Sequence, residues 1–212
     1  MTTYSLLALG DSYTIGEQVP LAESFPYQTV QILRKADVRN DKKAVGRQHL
    51  FAAPEIIAKT GWTTDELTAA IGQKIFLPQY DIVTLLIGVN NQYRGKPADE
   101  FKKEFEILLQ MAIQFAGGLE HNVYVISIPD WGITPFANDR ESEKISGEID
   151  RFNSICELAA STFKTHYINI TTDQRIDNTH AGFIATDGLH PSGKEYRKWA
   201  IKLSDIILAN LQ

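Results

Sequence analysis

Residues 80–88 read YDIVTLLIG, a short and mostly unbroken apolar run. A strand shows such a run when both of its faces are covered, because one wet face would impose a polar residue at every second position. Runs of the same kind occupy residues 4–9, 55–59, 122–128 and 165–170, with 80–87 the third of five. Between and after them the period changes. Phe101, Phe105, Leu108, Ala112 and Phe115 share one helical face; so do Ile145, Ile149, Phe152, Cys156, Ala159 and Phe163, and a third stripe is Tyr196, Trp199, Leu203 and Ile207. Thr63 with Glu66, and Ser192 with Glu195, have capping-box spacing. The order is therefore β-α-β-α-β-α-β-α-β-α. Strands joined through helices run parallel, with helices on both faces. The expected fold class is α/β, a three-layer α/β/α sandwich around a five-stranded parallel sheet. The polar stretch 35–48 reads as a solvated excursion before the second strand. No repeat, low-complexity segment or linker interrupts the pattern, so residues 1–212 are expected to form a single domain.

Composition removes several function classes. A net charge of −5 without a basic run argues against a nucleic-acid partner, which needs clustered Lys and Arg. No stretch approaches the roughly 18 apolar residues of a membrane span. The N-terminal apolar run has no basic residue ahead of it and reads as a buried strand rather than a secretion signal. Cys156 is the one cysteine, so no intrachain disulfide forms, and a reducing, cytoplasmic location is expected. The histidines His49, His121, His166, His180 and His190 lack H-E-x-x-H or C-x-x-C company, so no metal and no cofactor are expected.

In a parallel sheet of this kind ligands bind beyond the carboxyl ends of the strands, which selects the loops to inspect. The first strand runs into GDSYTIG with Ser12, the second into TGWTTDE with Gly61, the third into GVNNQYRG with Asn90, and the last into the loop that ends TDGLHPSG with Asp187 and His190. Nucleophilic catalysis by serine needs a histidine to take its proton and a carboxylate to hold that ring's tautomer. It also needs donors placed for the negative oxygen of the tetrahedral intermediate. Asp187-x-x-His190 can supply the first pair. The side-chain amide of Asn90 and the backbone N–H groups of Gly61 and Ser12 can supply the donors. Singly, each piece has a plain structural reading: a helix-entry turn, a turn glycine, a cap. Together they fall on four strand-end loops of one sheet edge.

In that order the residues resemble the SGNH hydrolases, also called the GDSL esterase and lipase family. GDSYTIGE with Ser12 matches the first block, Gly61 the glycine block, GVNN with Asn90 the third block, and DGLH with Asp187 and His190 the last. The resemblance spans Gly10 to His190. It implies a flavodoxin-like sheet of strand order 2-1-3-4-5, with Ser12, Asp187 and His190 catalytic and Ser12, Gly61 and Asn90 forming the oxyanion hole. Two positions depart from the pattern: Tyr13 stands where the family often has Leu, and Asn91 where it usually has Asp. Asp11 is expected to brace the loop rather than act as an acid.

The resemblance implies a serine ester hydrolase that takes a small-molecule ester, with a short acyl or acetyl group favoured because no long apolar lid is visible. An acyltransferase through the same acyl-serine, a thioesterase or lysophospholipase, and a non-catalytic binding relative are the alternatives. GLHPSGKE, residues 188–195, nearly spells a phosphate loop, but Glu195 stands where a magnesium-binding hydroxyl belongs. No G-x-S-x-G elbow is present, which disfavours an α/β-hydrolase. Trp62, Tyr93, Trp131, Phe136 and Phe183 are the loop aromatics that could line a pocket. Arg94 could meet an anionic substrate, and His180 could reach the pocket from its loop. The oligomeric state is left open.

Overall fold

The structure is a computed structural model that describes residues 2–40, 49–177 and 182–211. Its centre is a five-stranded parallel sheet. β1 (Thr2–Tyr4) and β3 (His49–Phe51) form a separate two-stranded pair. β2 (Leu6–Gly10), β4 (Glu55–Ala58), β5 (Ile82–Leu86), β6 (Val123–Ile126) and β7 (His166–Ile168) make the main sheet in the order β4-β2-β5-β6-β7. Numbering these five strands by themselves gives the 2-1-3-4-5 order that the resemblance implied. Every residue of β2, β5 and β6 is buried, which is why their sequences lack alternation.

Helices cover both faces. α2 (Phe25–Asn40) packs with α8 (Gly193–Asn210), while α3 (Thr64–Ile71), α5 (Ala98–Phe115) and α6 (Ser142–Thr162) pack in series. Short helices α1 (Ser12–Ile15), α4 (Val89–Tyr93) and α7 (Thr171–Asp177) follow β2, β5 and β7. The three apolar stripes turn inward: Phe101, Phe105, Leu108, Ala112, Ile145, Ile149, Phe152, Cys156, Ala159, Tyr196, Trp199, Leu203 and Ile207 are all buried in one contiguous core. Among the described residues no helix is long and apolar enough to cross a membrane.

Three expectations need correction. The first apolar run breaks at Ser5, whose backbone N–H and hydroxyl both donate to Asp81 Oδ2 at 2.7 and 2.8 Å. Thr2–Tyr4 thereby leaves the main sheet and pairs with His49–Phe51, where Tyr4 stacks on Phe51 at 5.1 Å between ring centroids. The excursion at 35–48 is helical up to Asn40, because α2 continues to that residue; positions 41–48 lie outside the described residues. The capping box at Thr63 and Glu66 forms, but the one at Ser192 and Glu195 does not. Ser192 Oγ donates to the Gly182 carbonyl instead, and Glu195 turns inward to accept from Trp199 Nε1 at 2.9 Å. Burying the indole N–H demands an acceptor, and that demand outweighs a cap on a surface turn.

Candidate active site

β2 ends at Gly10 and the chain turns directly into α1. A Cβ on Gly10 would lie 2.1 Å from Thr14 Oγ1 and 2.4 Å from the Leu86 carbonyl oxygen, so the turn is tight enough to require glycine. Asp11 caps α1, its Oδ1 accepting from the Tyr13 N–H at 3.0 Å, which is the bracing role expected for it. Ser12 is therefore the first residue of a helix, and its own N–H has no intrahelical acceptor.

The Asp11 carboxyl is fully buried, and its Oδ2 has no hydrogen-bond partner among the described residues. Burial pushes the carboxyl up to about 7 from 3.8, against the lowering effect of the Tyr13 N–H. Between roughly pH 4 and 7 the folded chain then holds a proton that the unfolded chain has released. Stability therefore falls as pH rises through that window and levels off above it. Asp11→Asn can still accept from Tyr13, so it is expected to remove the decline. Unfolding free energies of both proteins from pH 4 to 8 check this: the variant should gain on the parent by on the order of 2–4 kcal/mol across the window. A difference that stays flat with pH rules the buried proton out.

The last loop doubles back on itself. Ile184 and Pro191 form an antiparallel bridge, and the Ala185 N–H donates to the His190 carbonyl at 2.8 Å. Inside that bend Asp187 Oδ1 accepts from the backbone N–H groups of Leu189 and His190, both at 3.0 Å. Its Oδ2 lies 2.6 Å from His190 Nδ1, and His190 Nε2 lies 3.0 Å from Ser12 Oγ. Burial pushes the Asp187 carboxyl up, but the His190 ring and the two N–H groups outweigh it and hold the group below the usual carboxylate range. A carboxylate only accepts, so Nδ1 carries the hydrogen and Nε2 turns its lone pair towards Ser12. Tyr13 packs beside the imidazole at 5.3 Å between centroids.

The strip from Thr60 to Thr64, which leads from β4 into the first residue of α3, is tied at each residue. Thr60 Oγ1 donates to Glu17. The Gly61 carbonyl accepts from Arg94 Nη2 at 2.5 Å, and the Trp62 carbonyl accepts from Asn90 Nδ2 at 3.0 Å. The Thr63 N–H donates to Glu66 Oε2 at 2.9 Å. The Thr64 N–H donates to Asn91 Oδ1 at 3.1 Å, while its hydroxyl donates to Glu104. Gly61 has φ of +84°, a left-handed conformation that favours glycine, and its N–H donates to nothing among the described residues. Asn90 keeps one amide hydrogen free beyond the bond to Trp62. Asn91 is wholly buried and spends both ends of its amide on Thr64, Nδ2 reaching the hydroxyl at 2.6 Å. Its neutral amide thus occupies the place where the family's usual Asp would stand.

Ser12, Gly61, Asn90 and His190 open onto one cavity of about 220 Å³. Val89, Tyr93, Trp131, Phe136 and Leu189 form its apolar side. Of the loop aromatics singled out from sequence, Tyr93, Trp131 and Phe136 reach the cavity. Trp62 packs on the core and offers only its carbonyl to Asn90, and Phe183 lies under Lys198 Nζ at 5.0 Å. Arg94 pairs with Glu66 as well as with Gly61, and His180 lies outside the described residues. Three residues of this region carry almost no signal in the sequence. Gln92 Oε1 accepts from Trp131 Nε1 at 2.7 Å, Asp130 braces the same turn by accepting from Gly132 N–H and pairing with Arg175, and Arg140 lies over the aromatic rings. Gln92 and Asp130 meet Trp131 and Arg175, 39 and 45 positions away, and Arg140 reaches Tyr93 on another element, so only the D-x-G spacing of Asp130 and Gly132 hints at any of them.

A parallel sheet with a Ser–His–Asp relay at its carboxyl edge defines a class, and the comparisons agree with it. The family model described as GDSL-like lipase/acylhydrolase matches residues 8–198, and the chain belongs to that family. No curated protein matches it. Solved structures similar to it include the lipase/acylhydrolase from Enterococcus faecalis, at 16% identity and TM-score 0.69 over 99% of this chain and 97% of that one. The acetyl xylan esterase AlAXEase is similar at 18% identity and TM-score 0.71, covering 96% and 99%. Est24, a carbohydrate acetylesterase from Sinorhizobium meliloti, is similar at 16% identity and TM-score 0.65, covering 98% and 99%.

Proposed function

We propose that the chain hydrolyses carboxylic esters with a short acyl group through an acyl-serine on Ser12. The observation that carries this reading is the relay from Asp187 through His190 to Ser12, 2.6 and 3.0 Å long, ending at a cavity with three spare donors. In the first half-reaction Ser12 Oγ bonds to the ester carbonyl carbon as its proton passes to His190 Nε2. The carbonyl π pair moves onto oxygen. The oxyanion is met by the Ser12 and Gly61 N–H groups and by Asn90 Nδ2. Collapse breaks the bond to the alcohol oxygen, which takes the proton from Nε2 and leaves. Water then repeats the sequence on the acyl-serine: it gives its proton to Nε2, and Ser12 recovers one on release of the acid. Asp187 stays ionised and stabilises the imidazolium in both halves.

The printed names of two structural neighbours, an acetyl xylan esterase and a carbohydrate acetylesterase, support a small acyl group. So does the cavity volume, which is below the roughly 300–1,000 Å³ common for drug-sized ligands. The test uses a fluorophosphonate and p-nitrophenyl acetate. The phosphonate is expected to abolish turnover and to add its phosphonyl group, with loss of fluoride, to the peptide bearing Ser12, and an acetyl group should accumulate on the same peptide in a rapid quench. Labelling elsewhere, or activity lost to a chelator and restored by zinc, would falsify the serine mechanism.

A further inference from the structure

Beside the cavity at Ser12 lies a second, of about 310 Å³, and the two share Tyr93 and Trp131. Arg140 lines the second cavity and not the first. Its guanidinium carbon lies 5.4, 5.3 and 4.8 Å from the ring centres of Tyr93, Trp131 and Phe136. Trp131 touches the other two rings edge to face, lying 5.4 Å from Tyr93 and 6.0 Å from Phe136. A wall therefore separates the two spaces, with the cation stacked on its outer side.

The wall is held at its middle. Trp131 is buried, and its N–H donates to Gln92, whose own amide donates to Glu148 Oε2 at 2.7 Å. Gln92 and Glu148 line the second cavity, so the bonds that fix the indole come from beyond the wall. Arg140 is exposed and has no carboxylate partner among the described residues, which leaves the aromatic rings as its contacts.

We infer that Trp131 sets the upper length of the acyl group, acting as a partition between two cavities that Arg140 clamps in place. The inference rests on the ester-hydrolase reading and adds the residue that enforces its chain-length limit. The oxyanion donors fix where the carbonyl carbon lies. From there the apolar lining offers Val89, Trp131, Phe136 and Leu189, which match an alkyl chain and give a polar alcohol nothing to bond. An acyl chain that grows along this side meets a buried indole that cannot turn without breaking its bond to Gln92. With the indole gone, the chain would enter the second space.

The test compares kcat/KM for p-nitrophenyl acetate, butyrate and octanoate, and separately for methyl and octyl acetate, in the parent, Trp131→Leu and Arg140→Ala. The parent is expected to favour acetate or butyrate over octanoate by at least about tenfold, the lower end of what a hydrophobic pocket discriminates. Trp131→Leu should raise the octanoate-to-acetate ratio by about tenfold or more, and Arg140→Ala should raise it several-fold. The octyl-to-methyl ratio should stay unchanged in both variants. An active parent with a flat acyl profile overturns the inference, as does a folded Trp131→Leu with the parent's ratio, or a shift in the alcohol series instead. Arg140 is exposed, so its variant decides the matter if Trp131→Leu does not fold, and an unchanged ratio there also overturns it. A parent inactive on every ester removes the hydrolase reading itself and is thereby told apart from these results.

Discussion

Ser12→Ala and His190→Ala are each expected to lower kcat on p-nitrophenyl acetate by about 10⁶-fold, and the double variant by no more than either. The three residues of the relay act as one device: without the hydroxyl there is nothing for Nε2 to deprotonate, and without Nε2 the hydroxyl is a poor nucleophile. What remains is the acceleration from oxyanion donors and binding, roughly 10³–10⁴ over water, to which neither side chain contributes. Single-turnover rates of the two single variants and the double variant check this. Losses that multiply in the double variant would show that the two residues act in separate steps.

The second large effect separates neighbouring amides. Asn90→Ala is expected to lower kcat by roughly 10²–10³ with little loss of stability, since it removes one donor to the oxyanion. Asn91→Ala should do the opposite. It leaves the buried N–H and hydroxyl of Thr64 without their partner, at a cost of about 1–3 kcal/mol in unfolding free energy and a smaller loss of kcat. Urea unfolding and steady-state kinetics on both variants read the two quantities. A large kcat loss confined to Asn91→Ala would mean that Asn90 is not the donor.

The pair shows where sequence reasoning reaches its limit. Four blocks in order pointed to one sheet edge, and unbroken apolar runs marked the five strands of the main sheet. Both signals are local, since a strand covered on two faces must be apolar whatever covers it. The register of GVNN is also local, but which amide faces the cavity depends on Thr64, 27 positions away from Asn91. The same holds for Glu195, whose spacing from Ser192 promised a cap while Trp199 claimed its carboxylate. The pairing of β1 with β3 was hidden in a run that looked continuous until Asp81 took the backbone at Ser5. The aromatic wall was legible only as a set of aromatics on loops. Its clamp, Arg140, and its pin, Gln92, bear no motif, because an arginine stacked on two rings of its own loop and on Tyr93 at the end of α4 exists only after the fold is made.

The tied loop from Thr60 to Thr64 sets how this chain tolerates change around the Gly61 N–H. Its bonds come from Glu17, Glu66, Asn90, Asn91, Arg94 and Glu104, spread over several elements. Some are modest by nature: Arg94 and Glu66 are 46% and 40% exposed, and such pairs are individually worth about 0–1 kcal/mol. Redundancy rather than strength keeps the Gly61 N–H in place. Loss of one of the outer ties, from Glu17, Glu66 or Arg94, therefore has little effect on the reaction, and residues on the outer rim are free to wander. A second loss in the same strip meets a loop already loosened, so the two changes do not add. Robust to single changes at its outer ties and fragile to pairs of them, the strip makes the acceptability of each outer substitution depend on which others have already occurred.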